Sequence, residues 1–414
     1  MSSSRVLPDS QIKHEKSEES VRSELIAKIP NTDISVLKTE VARFTPKVDL
    51  RINDDPIVIE INADANNYLD FYNSSLYVKA KIVKQDGTAL AAETHVAPSS
   101  GFFHAWMSDI EVELNQVNIT KFGSHNPYVG YISSLLSSSP DQKSGELQNI
   151  LYYPGKVVDK FDDKTDVKDG FSKRVALAAE SKSFEMLGKL PINICLQPRY
   201  LPPKSDLKIT IRRSLPQFCI EASQDTVRNV VGLPYKYIIE DLALYVPKHK
   251  VNEKVISNQR QELSDNGRLT YPIYANTVKT YVLSTGIQSH TMPSFIKGPL
   301  PQKIYIGLVS NAAFNGKLTK SPFNFQHFKV SSISLNASFS ESLYKTIEYD
   351  FDNNHFLGGL ASLKDAAVDT LLGNGITREN FKNGKIQHNY KIIRSFFTKI
   401  CNNNNKNDNN RHNL

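Results

Sequence analysis

The sequence has little of what marks a membrane, secreted or metal-dependent protein. A spanning helix needs roughly 18 to 20 consecutive apolar residues, and the best run here, Ile304–Val309, has only the length of a strand. The opening Met1-Ser-Ser-Ser-Arg-Val-Leu-Pro8 lacks an apolar core or a small-residue cleavage site, so no secretory leader is expected. Cysteine is scarce: Cys195, Cys219 and Cys401 are odd in number and show no Cys-x-x-Cys spacing, which predicts no disulfide framework and suits a reducing, intracellular compartment. Glycines stand close together only at Gly358-Gly359 and Gly373-Asn-Gly375, neither placed as a phosphate-cradling loop. No Gly-x-Ser-x-Gly elbow occurs, and the Ser-rich stretch Ser133–Ser139 reads as a helix end entering a loop. His14-Glu-Lys-Ser-Glu18 carries Glu where a zinc helix needs its second His, and the remaining histidines are scattered. Nucleotide hydrolysis, serine-hydrolase chemistry and zinc catalysis therefore have no support; no enzyme activity, cofactor or metal is expected.

Charge is plentiful but unevenly placed. The 414 residues hold 50 Lys and Arg against 43 Asp and Glu, a net +7. Residues 378–414 alone carry eight bases and two acids, which leaves the other 377 residues at only +1. The body lacks the basic stripe of a nucleic-acid reader, so no sequence-specific nucleic-acid binding is expected, and the basic end reads as a solvated tail. Residues 1 to about 30 mix five bases and five acids with few large apolar groups, the composition of a mobile arm.

What the chain does have is strand after strand. Ile57–Ile61, Leu76–Val83, Ile110–Leu114 with Val117–Ile119, and Leu207–Ile211 are short β-rich runs, several alternating apolar and polar residues. An Asp-Gly turn at Gln85–Gly87 closes one hairpin end. Tyr237–Val246, Thr277–Leu283, Lys303–Val309 and Phe328–Leu335 repeat the grammar in the second half. Helical spacing is confined to Tyr128–Leu136, begun by Asn126-Pro127, and to about Val251–Gln261 and Leu360–Leu372. With 20 Pro and 19 Gly between the runs, this pattern predicts two all-β antiparallel domains rather than βαβ units, divided near Gly232-Leu-Pro234.

Two constellations need weighing. Glu111 and Glu113 share one face of a strand; a pair of carboxylates across a sandwich cleft is the machinery of a glycoside hydrolase, and an ordinary solvated strand face looks the same. Acids from Asp159 to Asp169 lack the order of a calcium loop. Asn-x-Ser/Thr triplets at Asn73, Asn118 and Asn336 read as accidents where no secretory route is expected. The aromatics are more telling. Phe314-Asn-Gly316, then Pro322-Phe-Asn-Phe325 and His327-Phe328, put rings at period 2 beside a turn. Such rings either fill a core or glue an interface, and with Lys317, Lys320 and Lys329 nearby a base-stacking platform is a third reading.

The run Leu300-Pro-Gln-Lys-Ile-Tyr-Ile-Gly-Leu-Val-Ser-Asn-Ala-Ala-Phe-Asn-Gly-Lys-Leu-Thr-Lys-Ser-Pro-Phe-Asn-Phe-Gln-His-Phe328 resembles a segment of the major capsid proteins of Polinton/Maverick-type elements and adintoviruses. Tyr68-Leu-Asp70, Leu76–Lys81, Phe103-His104, Asn115, Tyr128, Tyr131-Ile132, Phe184–Leu190, Gln197–Leu201, Asp206–Ile209, Arg213-Ser214 and Tyr271-Pro-Ile273 match in the same order, so the resemblance covers roughly residues 55 to 380. It implies a double jelly roll: two tandem eight-stranded antiparallel sandwiches, over 31–234 and 235–390, between the arm of 1–30 and an Asn/Lys-rich tail of 391–414. It further implies a homotrimer serving as a pseudo-hexameric capsomer of an icosahedral shell, a minor penton-like protein as partner, and a virion location. Phe314, Asn315, Gly316, Pro322, Phe323, Phe325 and His327 become the structural or interface candidates. The match fades after Asn383-Gly384, where closing strands are expected and an Asn-rich stretch follows. That departure predicts an incomplete second sandwich and a degenerate copy that assembles poorly. The alternative is a carbohydrate-binding or glycoside-hydrolysing jelly roll using Glu111 and Glu113.

Overall fold

A computed structural model describes residues 35–51, 55–62, 66–120, 125–155, 159, 161, 169–228, 232–266, 276–293, 301, 303–335, 345–366, 375–382 and 388–391. The expected arm and the tail beyond Lys391 lie outside them. Strands in the first half are β1 (Val36–Phe44), β2 (Ile57–Ile61), β3 (Asn67–Leu69), β4 (Ser75–Lys84), β5 (Val96–Pro98), β6 (Met107–Leu114), β7 (Val117–Asn118), β8 (Phe184–Gly188), β9 (Leu207–Arg213), β10 (Ile220–Ala222) and β11 (Tyr235–Val251). They alternate as their sequences predict. Leu76, Val78, Ala80 and Ile82 of β4 are buried between half-exposed neighbours, and Ile110, Val112 and Leu114 of β6 alternate with Glu111 and Glu113.

Two antiparallel sheets result, in the orders β1-β11-β4-β8, with β3 added to β11, and β2-β9-β6-β7. Setting aside β3 and the separate antiparallel pair β5-β10 leaves eight strands, and the orders become first-eighth-third-sixth and second-seventh-fourth-fifth. The chain crosses between the sheets at almost every connection, which is the strand order of a jelly roll. Its core interleaves Ile57, Ile59 and Ile61 with Ile209, Ile211, Ile110 and Val112, in register as Ile57↔Ile211↔Ile110 and Ile59↔Ile209↔Val112. Burying each such side chain contributes roughly 1.5 to 3 kcal/mol. Phe102, Phe103 and Trp106, in and after α1 (Phe102–Ala105), plug one end; Phe102 meets Phe184 and Tyr237 edge-on at 5.6 and 5.5 Å.

The eighth strand lies beyond the expected boundary at Gly232–Pro234. β11 pairs with β1 on one side and β4 on the other, so the first sandwich runs to Val251. The expected helices are present as α2 (Asn126–Ser137), α4 (Glu253–Asn266) and α5 (Leu357–Ala366), while α3 (Gly170–Ala178), capped by Asp169 through Phe171 N, has no counterpart among them.

In the second half, β12 (Lys303–Ile306) pairs with β15 (His388–Lys391), and β13 (Ser332–Leu335) with β14 (Lys345–Glu348), all antiparallel. β15 falls after Gly384, so the chain still supplies a strand past the point where the resemblance fades. Thr277–Leu283 has strand composition yet pairs with no described strand, and Val282 is 79% exposed. A strand is stable only against a neighbour's ladder, which composition does not supply. The second half is organised around Ile347, Tyr349, Phe351, Phe356, Leu360, Leu363 and Phe381, to which α2 lends Leu135 and Leu136. Among the described residues no helix is long and apolar enough to cross a membrane.

Candidate functional site: an aromatic seam

The segment singled out by its aromatics runs between the two halves. Ser310 begins it by accepting from Ala313 N, starting the turn Asn311–Phe314, and an isolated bridge pairs Val309 with Phe325. Asn315 donates to Asn311 Oδ1 at 3.2 Å and stays exposed. Gly316 adopts φ +82°, and a Cβ there would stand 2.8 Å from Gln217 Cγ and 3.0 Å from Phe218 N. Only glycine permits that left-handed turn pressed on another backbone. Two residues on, Leu318 accepts from Ala222 N at 2.7 Å, which ties the segment to β10.

The rings then close over α2. Phe323 stacks on Tyr131 at 4.1 Å with the planes 1° apart, Phe314 stacks on Tyr128 at 5.7 Å, and Phe325 meets Tyr128 at 6.1 Å. Pro322, Phe323 and Phe325 are buried; Phe314 is half-buried. His327 stacks on Phe351 at 4.0 Å, and burial holds its imidazole below its ordinary value, partly offset by Asp352. Phe323 and Phe325 thus belong to the core of the first half, while His327 reaches the cluster of the second. The base-stacking reading is not met: those two faces are covered, Lys320 lies 3.7 Å from Asp159, and Lys329 pairs with Asp352 at 3.0 Å.

Five residues outside the segment complete the seam and the cleft beside it. Asp159, at φ +61°, accepts from Ser321 N and Asn324 Nδ2, both at 2.7 Å. Tyr128 and Tyr131 stand three apart on α2, a spacing that puts both on one helix face and was the available signal. Arg174 and Glu221, both nearly enclosed, pair at 2.6 Å, and Arg174 also donates to Pro98 O. They line a cleft of about 170 Å³ with Tyr131, Phe323, Asp159 and Lys143, whose ammonium is pushed down to about 8 by burial.

Other candidates resolve into ordinary roles. Glu111 pairs with Arg212 at 3.0 Å and Glu113 with Lys208 at 3.3 Å, across strands on the outward face of the sheet. Each acid is tied to a base on the neighbouring strand, and neither lines the cleft beside Tyr131 and Phe323. His104 is buried, bonded to Ser134 Oγ at 2.9 Å, and its imidazole is pushed down to about 3 by desolvation. Cys195 and Cys219 are buried and unpaired, with Cys195 pushed up to about 12. Such thiols are inert as nucleophiles. Among the described residues no three His, Cys, Asp or Glu side chains gather to hold a metal.

No family model matches the chain. A curated relative, the uncharacterized protein F54H12.2 of Caenorhabditis elegans, is 19% identical over 325 residues, covering 77% of this chain and 73% of that protein. Solved structures similar to this chain include the Sputnik virophage by cryo-EM (10% identity, 61% of this chain and 53% of that one, TM-score 0.41). The Faustovirus major capsid protein (10%, 55% and 57%, 0.34) and the mavirus major capsid protein (11%, 74% and 56%, 0.33) are also similar. The chain spans little more than half the length of these solved chains.

Proposed function

We propose that this chain is the building block of a protein shell: a major capsid protein of the Polinton/Maverick type that associates in threes into a pseudo-hexameric capsomer. The observation that carries the reading is the strand order of the first half, a complete jelly roll, in a chain whose ordered sequence resemblance to capsid proteins runs from about residue 55 to 380. A shell subunit needs complementary flanks rather than a reactive centre. Two tandem lobes repeated three times give six similar corners, which tile a hexagonal lattice under threefold symmetry. The second lobe, over the remainder of the described chain, would be held to the first by the seam from Phe314 to His327. The minor partner at fivefold corners, the virion location and the origin in a mobile element follow from the same reading.

Size-exclusion chromatography with light scattering tests it. Three chains of 46.5 kDa give about 140 kDa, and electron microscopy of the same sample should show hexagonal capsomers or shells. A monomer at every concentration, with thermal stability raised by added sugar, would instead favour the carbohydrate-binding alternative.

A further inference from the structure

β1 is an edge strand: among the described residues it pairs with β11 alone. Residues 37–41 are exposed on both faces, with Leu37 at 60% and Val41 at 66%. Soluble proteins guard such edges with prolines or with charges that repel a second strand. β1 has no proline, and its charges are arranged otherwise. Lys38 and Glu40 lie two apart on one face and pair with each other. About a twofold axis at Thr39, an antiparallel copy of the strand sets Lys38 against Glu40, Glu40 against Lys38, and Leu37 against Val41.

Moving the axis by one residue brings Lys38 opposite Lys38, or Glu40 opposite Glu40. Either clash costs stability in a ladder. Within the chain Lys38 already stands opposite Lys250, while Glu40 stands opposite Lys248. A second copy's Glu40 would therefore sit between two cations, its neighbour's Lys38 and its own Lys248, and relieve the like-charge pair. Pairing with β11 is regular from Lys38 to Phe44 and shifts between Val36 and Lys38, so Lys38, Thr39, Glu40 and Val41 lie in the regular stretch and Leu37 at the irregular step beside it.

We propose that β1 is a self-complementary edge that adds to β1 of a second copy of this chain, antiparallel about Thr39, joining the two four-stranded paths into one continuous sheet. This deepens the shell-building reading and rests on it: capsomers that are threefold inside would meet one another across twofold contacts at their edges.

The test uses the full-length chain and light scattering over a range of concentrations. Lys38→Glu and Glu40→Lys each set like charges across the axis and should weaken edge association by about tenfold, leaving the threefold unit intact. Mixing the two single variants brings a strand with acids at both positions against a strand with bases at both, so opposite charges face each other again and the mixture should recover the larger species. A charge effect confined to one strand cannot be rescued by mixing. The double variant K38E/E40K should behave as the parent. Larger species unchanged in both single variants, or no recovery on mixing while the threefold unit persists, would overturn the edge contact and leave the shell-building reading standing. A parent chain that stays monomeric would overturn both.

Discussion

In the first sandwich, aliphatic side chains from two sheets interdigitate, and every member of the register Ile57↔Ile211↔Ile110 is fully enclosed. Around Phe351 the second half instead stacks flat rings: Tyr349 at 5.6 Å, Phe356 at 5.5 Å and His327 at 4.0 Å, all within 17° of parallel. The first arrangement locks register, because a one-residue slip would turn the whole apolar set outward. The second tolerates sliding, since stacked rings keep contact over a range of offsets. Leu135 and Leu136 of α2 join this second cluster, while α2 itself packs against the first half so tightly that a Cβ at Gly130 would stand 2.5 Å from His104 Nδ1. The difference teaches that the second half depends on the first more than the reverse.

The largest expected effect breaks that dependence. Phe323→Ala removes the ring stacked on Tyr131 and should cost roughly 3 to 5 kcal/mol; calorimetry of the variant should show two unfolding transitions, the second half melting first. One transition shifted as a whole would mean that the halves share a single cooperative core.

A middle effect isolates the first half. His104 stays neutral when folded down to about pH 3 but protonates near 6.5 when unfolded. The unfolded chain thus binds the extra proton, and stability falls as pH drops from 6.5 towards 3. Between pH 7 and pH 5 the loss should be about 2 kcal/mol, read by denaturant titration, and His104→Gln should flatten it. The smallest effect is at the outer face of the same sandwich. Glu111→Gln loosens an exposed pair with Arg212 and should change stability by less than about 1 kcal/mol; a larger change would mean that this face is covered in an assembly.

Much of this contrast is legible in the sequence. Alternation gave β2 and β9 almost to the residue, and Asn126-Pro127 marked the start of α2, because burial on one face leaves a period in the chain. β1 leaves no such mark: with both faces exposed at 37–41 it has no period, and its pairing with β11 defines it. Thr277–Leu283 shows the opposite case, having the composition of a strand without a partner among the described residues. Within the site, the rings of Phe323 and Phe325 announced themselves, but Asp159 did not. A lone carboxylate that bonds a main-chain amide more than a hundred residues away leaves no local pattern.

The place of β11 in the first sheet has a consequence for how the protein is made. It separates β1 from β4 and bonds to both, so Val36 must wait for Val251. A ribosome will have delivered more than half of the polypeptide before the sandwich closes, and until then β1 and β4 have unsatisfied flanks. Such distant pairing makes folding slow and invites help from a chaperone.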